Sequence, residues 1–237
     1  MRDVRIVLRY YTRALAYKSN LIQRLISKIS QQPFSPEENT AYWDQMLCNT
    51  TWKTYLGNTF SIDARNGLLS TIIKHHAPEK PSVLDVACAG GTLSLVLPEF
   101  SKYVGVDVSR YATELAIQNI KKENVYFETS DLRVFNSEQN SLDVIIFSEV
   151  LYYQPLETVY SEVERYINFL KPNGIIIISM KDDGKSHAIY SHLAQTYTWV
   201  DGVLLQQKLS KPDFKTRINQ ERPSHVIGAF QNKAKNT

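Results

Sequence analysis

The chain of 237 residues lacks several features that would place it in a specialised class of protein. Its two cysteines, Cys48 and Cys88, are too few for a disulfide framework, and no cysteines and histidines have the spacing of metal ligands. No apolar stretch is long enough to span a bilayer, and Arg9 and Arg13 interrupt any secretory leader. We therefore expect a cytoplasmic protein with no disulfide, no metal site and no transmembrane segment.

Net positive charge is absent from most of the chain and confined to its start. Residues 1–30 carry seven basic side chains and one acidic one, a net +6, so the overall +3 leaves −3 for all later residues. A body of that sign is not the surface of a nucleic-acid-binding protein. Residues 4–29 have apolar side chains at helical spacing opposite a basic face. This amphipathic helix either packs on its own domain or contacts a partner or a membrane surface.

Glycine is also sparse, and the dinucleotide fingerprint G-x-G-x-x-G is missing, which weakens the case for a pyrophosphate-bearing cofactor. A different strand–turn–helix pattern occupies Ser82–Leu97. The apolar run Val83–Val86 predicts a buried parallel strand, the small residues Ala87–Gly91 predict a turn, and helical spacing begins at Thr92. Small residues let the backbone approach a ligand, and amides at a helix start favour an anionic group.

A second acidic position lies sixteen residues beyond Gly91, at Asp107, where a second short strand ends. A carboxylate at the end of that strand suits the two hydroxyls of a ribose. Asp85, the small-residue turn and Asp107 together predict a pocket for an adenosine-bearing cofactor.

These segments resemble, in order, the motifs of class I S-adenosylmethionine-dependent methyltransferases. The turn D-V-A-C-A-G-G at 85–91 is similar to the family's D-x-G-x-G-x-G, with Ala87 and Ala89 at two glycine positions. The later matching segments are V-D-V-S at 106–109, T-S-D-L at 129–132, L-D-V-I-I-F-S-E-V-L-Y-Y at 142–153 and L-K-P-N-G at 170–174. The C-A-G-G turn and the S-E-V-L-Y-Y stretch resemble the nodulation protein S branch, which N-methylates an amino sugar.

The strand–helix alternation and the resemblance imply the same α/β fold. It is a Rossmann-like, seven-stranded, mostly parallel sheet with helices on both faces and an antiparallel closing strand, preceded by an N-terminal helical extension. The predicted divisions are a basic helical extension and linker at 1–38 and a methyltransferase domain at 39–237. Within that domain we expect an active-site cover at 39–76, a cofactor-binding core at 80–180 and a substrate-side part at 181–237.

The cofactor that the resemblance implies is S-adenosylmethionine. Asp107 is expected to hold the ribose, Asp131 the adenine amino group and the Ala87–Gly91 backbone the amino-acid end. From spacing alone, Asp131 is instead a turn or helix-cap aspartate and Cys88 a packing residue. The full predicted cofactor site is Asp85, Ala87, Cys88, Ala89, Gly91, Asp107, Val108, Ser130, Asp131, Leu132 and Ser148.

The acceptor is expected at the carboxyl end of the fourth predicted strand, since ligands bind at that edge of open α/β sheets. An amine acceptor must be neutral and a hydroxyl acceptor needs a base nearby. Glu149 is otherwise a cofactor ligand or a helix cap, and His187 is otherwise a helix-start residue. The catalytic candidates are Glu149, Tyr152 and His187, and the substrate-binding candidates are Trp52, Tyr55 and Tyr153.

The fourth strand ends without the N-P-P-Y or D-P-P-Y of enzymes that methylate base amines or glutamine amides. The sequence therefore predicts methyl transfer from S-adenosylmethionine to an amine or hydroxyl of a small polar metabolite, such as a sugar or amino sugar. Two other functions stay open, a catalytically weak cofactor-binding partner subunit and a nicotinamide-dependent oxidoreductase. A homodimer also stays open.

Overall fold

The computed structural model describes residues 35–48, 64–206 and 224–231. The predicted basic helix at 4–29 and the predicted cover residues Trp52 and Tyr55 lie outside this part. The described helices are α1 (Pro36–Leu47), α2 (Ala64–His76), α3 (Arg110–Asn119), α4 (Leu156–Ile167) and α5 (Gly184–Thr196), with short 3₁₀ turns at Thr92–Leu95 and Leu151–Tyr153. The strands are β1 (Ser82–Val86), β2 (Lys102–Asp107), β3 (Val125–Thr129), β4 (Leu142–Ser148), β5 (Leu170–Lys181), β6 (Thr198–Gln206) and β7 (Ser224–Gln231).

All seven strands join one sheet in the order β3-β2-β1-β4-β5-β7-β6. The pairs from β3 to β5 are parallel, whereas β7 runs antiparallel to both β5 and β6. The predicted mostly parallel sheet with an antiparallel closing strand is thus confirmed. The chain leaves β1 towards β2 and β3 and returns to its other side at β4. This reversal creates the switch point where open α/β sheets bind ligands.

The two faces of the sheet are buried under different helices, because successive residues of a strand point to opposite faces. Leu84, Ile145 and Phe147 belong to a core that includes side chains of α4 and α5. Their neighbours Val83 and Ile146 belong to a second core with side chains of α2. Helices therefore cover both faces, as predicted, and β1 and β4 have little freedom to shift register.

The predicted helix after β1 is wrong, since only a 3₁₀ turn forms at Thr92–Leu95. Pro98 has no N–H to donate to the carbonyl of Ser94, as an α-helix would require, and proline disfavours a helical residue before it. That carbonyl accepts a hydrogen bond from Lys122 Nζ at 2.9 Å instead.

The predicted linker ends earlier than expected, because α1 begins at Pro36. Ser35 and Glu38 form a capping box in which the Ser35 hydroxyl accepts from the Glu38 N–H at 3.2 Å and the Glu38 carboxylate accepts from the Ser35 N–H at 3.1 Å. Pro36 stands at the first helical position, where its missing N–H costs nothing. None of the described helices is both long and apolar enough to cross a membrane.

Candidate active site

A cavity of about 400 Å³ lies at the carboxyl ends of β1, β2 and β4, where the strand order reverses. This volume falls in the range typical of small-molecule sites. The cavity is lined by Asn39, Trp43, Leu47, Arg65, Asn66, Asp85, Val86, Ala87, Cys88, Ala89, Gly90, Thr92, Leu93, Val106, Asp107, Val108, Ser130, Leu132, Ser148, Glu149, Val150, Tyr152, Tyr153, Gln154 and His225.

The turn after β1 keeps a glycine-like backbone although two of its positions are alanine. Ala87, Ala89 and Gly91 have φ values of 65°, 48° and 71°. The N–H groups of Ala87 and Cys88 both donate to the carbonyl of Val106, at 2.7 and 3.1 Å, which fixes the turn against β2. The two alanines are held in the left-handed region at a cost of roughly 1–2 kcal/mol each. The turn is therefore formed, and residues 87–90 line the cavity, whereas the predicted cofactor residue Gly91 does not.

Asp85 is buried near the end of β1, and only one of its two carboxylate oxygens has a hydrogen-bond partner among the described residues. The hydroxyl of Tyr103 donates to Oδ2 at 2.5 Å, whereas Oδ1 is buried with no hydrogen-bond partner among the described residues. Burial raises the pKa of Asp85 to about 7, although the Tyr103 hydrogen bond opposes this. A buried, unsatisfied carboxylate oxygen in a cavity wall fits a cationic amino group, such as that of the methionine part of S-adenosylmethionine.

Asp107 is fixed at the end of β2 by two backbone amides. Its Oδ2 accepts from the N–H of Ala89 at 2.9 Å, and its Oδ1 accepts from the N–H of Ser109 at 2.8 Å. Burial raises the pKa of Asp107 to about 6 against these two hydrogen bonds. Each oxygen has a second lone pair, so the carboxylate can still accept the hydroxyls of a ribose.

Asp131 is buried beside the cavity without lining it. Its carboxylate accepts from Arg133 Nη2 at 2.6 Å and Arg133 Nε at 2.9 Å, and from Asn39 Nδ2 at 2.7 Å. Burial raises the pKa of Asp131, but these hydrogen bonds outweigh it and lower the pKa below its usual value. Its neighbours Ser130 and Leu132 line the cavity, and Asn39 connects Asp131 to it.

Helix α1 closes one side of the cavity. The sequence analysis predicted an active-site cover at 39–76 but named no residue of this helix as part of the site. Asn39, Trp43 and Leu47 of α1 line the cavity, and the ring of Trp43 meets Tyr153 edge-on with centroids 5.0 Å apart. The helix is held in place by Asp44, whose Oδ1 accepts from Ser109 Oγ at 2.6 Å and from the N–H of Tyr111 at 3.0 Å. The aromatic wall of the described site is therefore Trp43 with the tyrosines after β4.

Directly after β4, Glu149 lines the cavity and is surrounded by polar side chains. It has a φ of 58°, and its N–H donates to the carbonyl of Ser179 at 2.8 Å. Its Oε1 accepts from Ser179 Oγ at 2.9 Å and lies 3.2 Å from Arg65 Nη1. Its Oε2 accepts from the Tyr152 hydroxyl at 3.1 Å and lies 3.4 Å from His225 Nε2. We call Glu149, Arg65, Tyr152 and His225 the acceptor cluster.

The loop that carries Tyr152 is held from outside the cavity by α5. Lys185 Nζ donates to the carbonyls of Tyr152 and Gln154 at 2.8 and 2.5 Å. Burial, followed by the nearby Tyr153 and Glu149, raises the pKa of Tyr152 well above its usual value. Tyr152 therefore stays a neutral hydroxyl that donates to Glu149.

The structure does not bring His187 to the cavity. Its side chain is 64% exposed on the first turn of α5, where Nε2 lies 2.5 Å from Asp182 Oδ1. The histidine that lines the cavity is His225, which the sequence prediction missed together with Arg65. A signal existed, because an antiparallel strand pairing with β5 starts at the carboxyl edge, and the Cα of His225 pairs with that of Lys181 at the end of β5.

A family profile described as a methyltransferase domain matches residues 79–222, more than half of the chain. With the fold and the cofactor turn, this match shows that the chain belongs to the class I S-adenosylmethionine-dependent methyltransferases, and its cofactor is S-adenosylmethionine.

The individual relatives are distant. A ribosomal protein L11 methyltransferase from Thermosipho melanesiensis is 29% identical over 128 residues, covering 53% of this chain and 47% of the relative. A dTDP-3-amino-3,4,6-trideoxy-alpha-D-glucopyranose N,N-dimethyltransferase from Streptomyces venezuelae is 27% identical over 126 residues, covering 52% of each. The chain thus spans about half the length of these curated relatives.

Among solved structures, the N-methyltransferase NodS from Bradyrhizobium japonicum WM9 in complex with S-adenosyl-L-homocysteine superimposes with a TM-score of 0.57 at 18% identity. The match covers 84% of this chain and 97% of NodS. At that identity the likeness shows a shared fold.

Proposed function

We propose that the protein transfers the methyl group of S-adenosylmethionine to an amine or hydroxyl of a small polar metabolite, such as a sugar or amino sugar. One observation carries the proposal. A single cavity joins the cofactor turn, with Asp85 and Asp107, to an acceptor cluster of hydrogen-bonding side chains. The cofactor and the acceptor can therefore bind side by side in the same cavity. Methyl transfer by displacement requires the two to be held close together and aligned.

The cofactor occupies the β1–β2 end in this proposal. Asp85 accepts from the amino group of the methionine part, Asp107 accepts from the ribose hydroxyls, and the adenine lies between Ser130 and Leu132 near Asn39. Asp131 acts on the adenine through Asn39, because its own oxygens are taken by Arg133 and Asn39. When bound, the cofactor supplies a methyl group activated by its sulfonium.

The acceptor occupies the other end, against the aromatic wall and the acceptor cluster. Trp43, Tyr152 and Tyr153 offer apolar ring faces, and the Tyr152 hydroxyl, Arg65 and His225 offer polar contacts. This mixture of ring faces and polar groups suits a sugar. The Streptomyces relative is named as an amino-sugar N,N-dimethyltransferase and NodS as an N-methyltransferase, and both names support a small amine or sugar acceptor.

A screen with methyl-labelled S-adenosylmethionine tests this function. We expect label to transfer to at least one compound in a panel of amino sugars, glycosides and small amines. Ribosomal protein L11 forms a separate arm, because one relative bears that name. Label on that protein alone would reject the small-molecule proposal. S-adenosylhomocysteine binding without transfer to any acceptor would favour the inactive partner subunit, and tight binding of a nicotinamide dinucleotide would favour the oxidoreductase.

The ribose assignment has its own test in calorimetry with S-adenosylhomocysteine. Losing hydrogen bonds to a charged group costs about 1.5–3 kcal/mol, so Asp107→Asn should weaken binding roughly 10- to 100-fold. Glu114→Gln, an exposed change on α3, is the matched control and should bind like the wild type. Equal affinity for Asp107→Asn and the wild type would remove Asp107 from the cofactor site.

A further inference from the structure

We propose that His225 accepts the proton that the methyl acceptor loses, and that Glu149 is a positioning residue that orients His225. This assignment rests on the proposed function and deepens it. It differs from the expectation drawn from the sequence, in which Glu149, Tyr152 or His187 was the base. Three observations carry it: the contacts on both oxygens of Glu149, the hydrogen bond from the Tyr152 hydroxyl to Glu149 and the position of His225.

Both carboxylate oxygens of Glu149 are already engaged by protein groups. Oε1 accepts a hydrogen bond from Ser179 Oγ and is ion-paired with Arg65, and Oε2 accepts from the Tyr152 hydroxyl and lies 3.4 Å from His225 Nε2. A substrate proton would have to compete with these contacts for the carboxylate's roughly four acceptor directions. Its backbone is also held in the left-handed region, and such strain persists at functional sites only where neighbours over-determine the conformation. Glu149 is therefore held in one conformation, in which its carboxylate contacts Tyr152 and His225.

Tyr152 cannot take the proton either, because its hydroxyl stays protonated and donates to Glu149. A neutral hydroxyl that already donates to a carboxylate has no basic site of comparable strength. Among the groups of the acceptor cluster, His225 is therefore the one whose ring offers a basic nitrogen for the acceptor's proton.

His225 lies where such a group is needed. It is among the first residues of β7, its side chain is 21% exposed, and it lines the cavity. Its Nε2 lies 3.4 Å from Glu149 Oε2. In the proposed tautomer the proton is on this nitrogen, facing Glu149, and the lone pair is on Nδ1. The charged and titratable groups near it are Glu149 and Tyr152 after β4, Arg65 on α2, Lys181 as its register partner on β5, and Tyr190 on α5, whose hydroxyl donates to the carbonyl of Val226.

The step balances without any further reagent. A lone pair of the acceptor oxygen or nitrogen forms the new bond to the methyl carbon. The bond from that carbon to sulfur breaks, and its electron pair stays on sulfur to give the neutral thioether. The acceptor's proton passes to Nδ1 of His225, and the imidazolium later releases it to solvent. Glu149 stabilises that imidazolium, and Arg65 keeps Glu149 in place.

The first test needs no acceptor. In ¹⁵N NMR of the protein bound to S-adenosylhomocysteine, the neutral ring of His225 should carry its proton on Nε2. In Glu149→Gln this preference should weaken, because the carboxylate that selects the tautomer is gone. A wild-type ring protonated on Nδ1 would overturn the proposal, since its lone pair would then be on Nε2, beside Glu149, instead of on Nδ1. His187→Gln, at an exposed histidine outside the cavity, simplifies the assignment without touching the site.

The second test uses the compound that the wild type methylates fastest in the screen. His225→Gln should lower kcat by roughly 100-fold or more, with KM and the affinity for S-adenosylhomocysteine nearly unchanged. The loss should shrink at high pH, where the acceptor gives up its proton without help. A structural role would lower stability or cofactor affinity and leave the pH profile unaltered.

An unchanged kcat, or equal losses in kcat and cofactor affinity, would overturn the role of His225. If the wild type methylates no compound, the proposed function has failed, and the NMR result still reports separately on the orientation of His225 by Glu149.

Discussion

The burial of the Asp85 carboxyl group links the stability of the folded protein to ligand binding. The folded protein buries a carboxyl group and leaves one of its oxygens without a partner, which favours the protonated form in the absence of ligand. A ligand's ammonium would reverse that preference by pairing with the charged form. Folding thus leaves an electrostatic cost at this position that a cationic ligand relieves.

We predict that Asp85 makes the ligand-free protein less stable as the pH rises. Its folded pKa of about 7 exceeds the unfolded value near 3.9, so the folded state binds more protons between these limits, and stability falls as the pH rises through that window. From pH 5 to 7.5, Asp85→Asn should therefore gain about 2–3 kcal/mol relative to the wild type.

Urea unfolding at the two pH values measures this difference. Asp143→Asn is the control, because Lys171 and Ser82 lower the pKa of Asp143 despite its burial, and it stays ionised throughout. Its stability difference from the wild type should not change between pH 5 and 7.5. An Asp85→Asn variant that behaves the same way would refute the raised pKa.

The alanines of the cofactor turn provide a second prediction. Glycine at 87 or 89 removes roughly 1–2 kcal/mol of left-handed strain and adds about 0.4–1 kcal/mol of unfolded-chain entropy. Ala87→Gly should thus be neutral or stabilising by up to about 1 kcal/mol. Ala194→Gly on an exposed face of α5 should instead destabilise by about 1 kcal/mol. Equal losses in denaturant unfolding would contradict the strain.

Helix α1 is the element whose local sequence has the most direct bearing on the site. Its capping box fixes where the helix starts, and the helical period then brings Asn39, Trp43 and Leu47 to the cavity. Asp44 fastens the same helix at the start of α3. A substitution at the capping residue Ser35 should therefore weaken ligand binding, although Ser35 itself does not line the cavity.

Ser35→Ala should cost about 1 kcal/mol of helix stability. Because α1 forms one wall of the cavity, S-adenosylhomocysteine should bind up to about fivefold more weakly, the equivalent of 1 kcal/mol. Gln45→Ala on the exposed side of α1 should bind normally in the same calorimetry. Unchanged binding by Ser35→Ala would mean that α1 does not need its cap to close the cavity.

Elements with a strong local or periodic signal were predictable from sequence, and elements defined by distant contacts were not. β1 and β4 are apolar runs buried on both faces, and their order and direction follow from the alternation of strands and helices. The small-residue turn and Asp107 likewise lie on the cavity as expected. Arg65 and His225 come to Glu149 from 84 and 76 residues away, and no local pattern reports such a meeting. His187 was a wrong candidate because its position soon after β5 suggested the cavity edge. Its side chain is exposed on the first turn of α5 and does not line the cavity.

The described strands form one sheet with a hydrophobic core on each face. We therefore expect the described part of the chain to respond to ligand as a single unit. The cavity is built from both ends of the described chain, from α1 to β7, so a ligand that fills it stabilises contacts between segments far apart in sequence. Ligand binding should therefore appear as global stabilisation.

We predict that S-adenosylhomocysteine at 100 times its dissociation constant adds about 2.7 kcal/mol to the free energy of unfolding. For a chain of this size, that corresponds to a rise in Tm of roughly 5–11 °C. Thermal denaturation followed by circular dichroism measures the shift. NAD at the same concentration should leave Tm unchanged, and a larger shift with NAD than with S-adenosylhomocysteine would argue against the cofactor assignment.

The position of β7 between β5 and β6 has a consequence during synthesis. β6 leaves the ribosome before β7, but it has no partner in the sheet until β7 arrives. In the nascent chain β5 thus keeps an open edge, the kind of surface that recruits other strands. The strand that finally closes this edge also carries His225, so the chain protects its sheet and completes its cavity in the same late event.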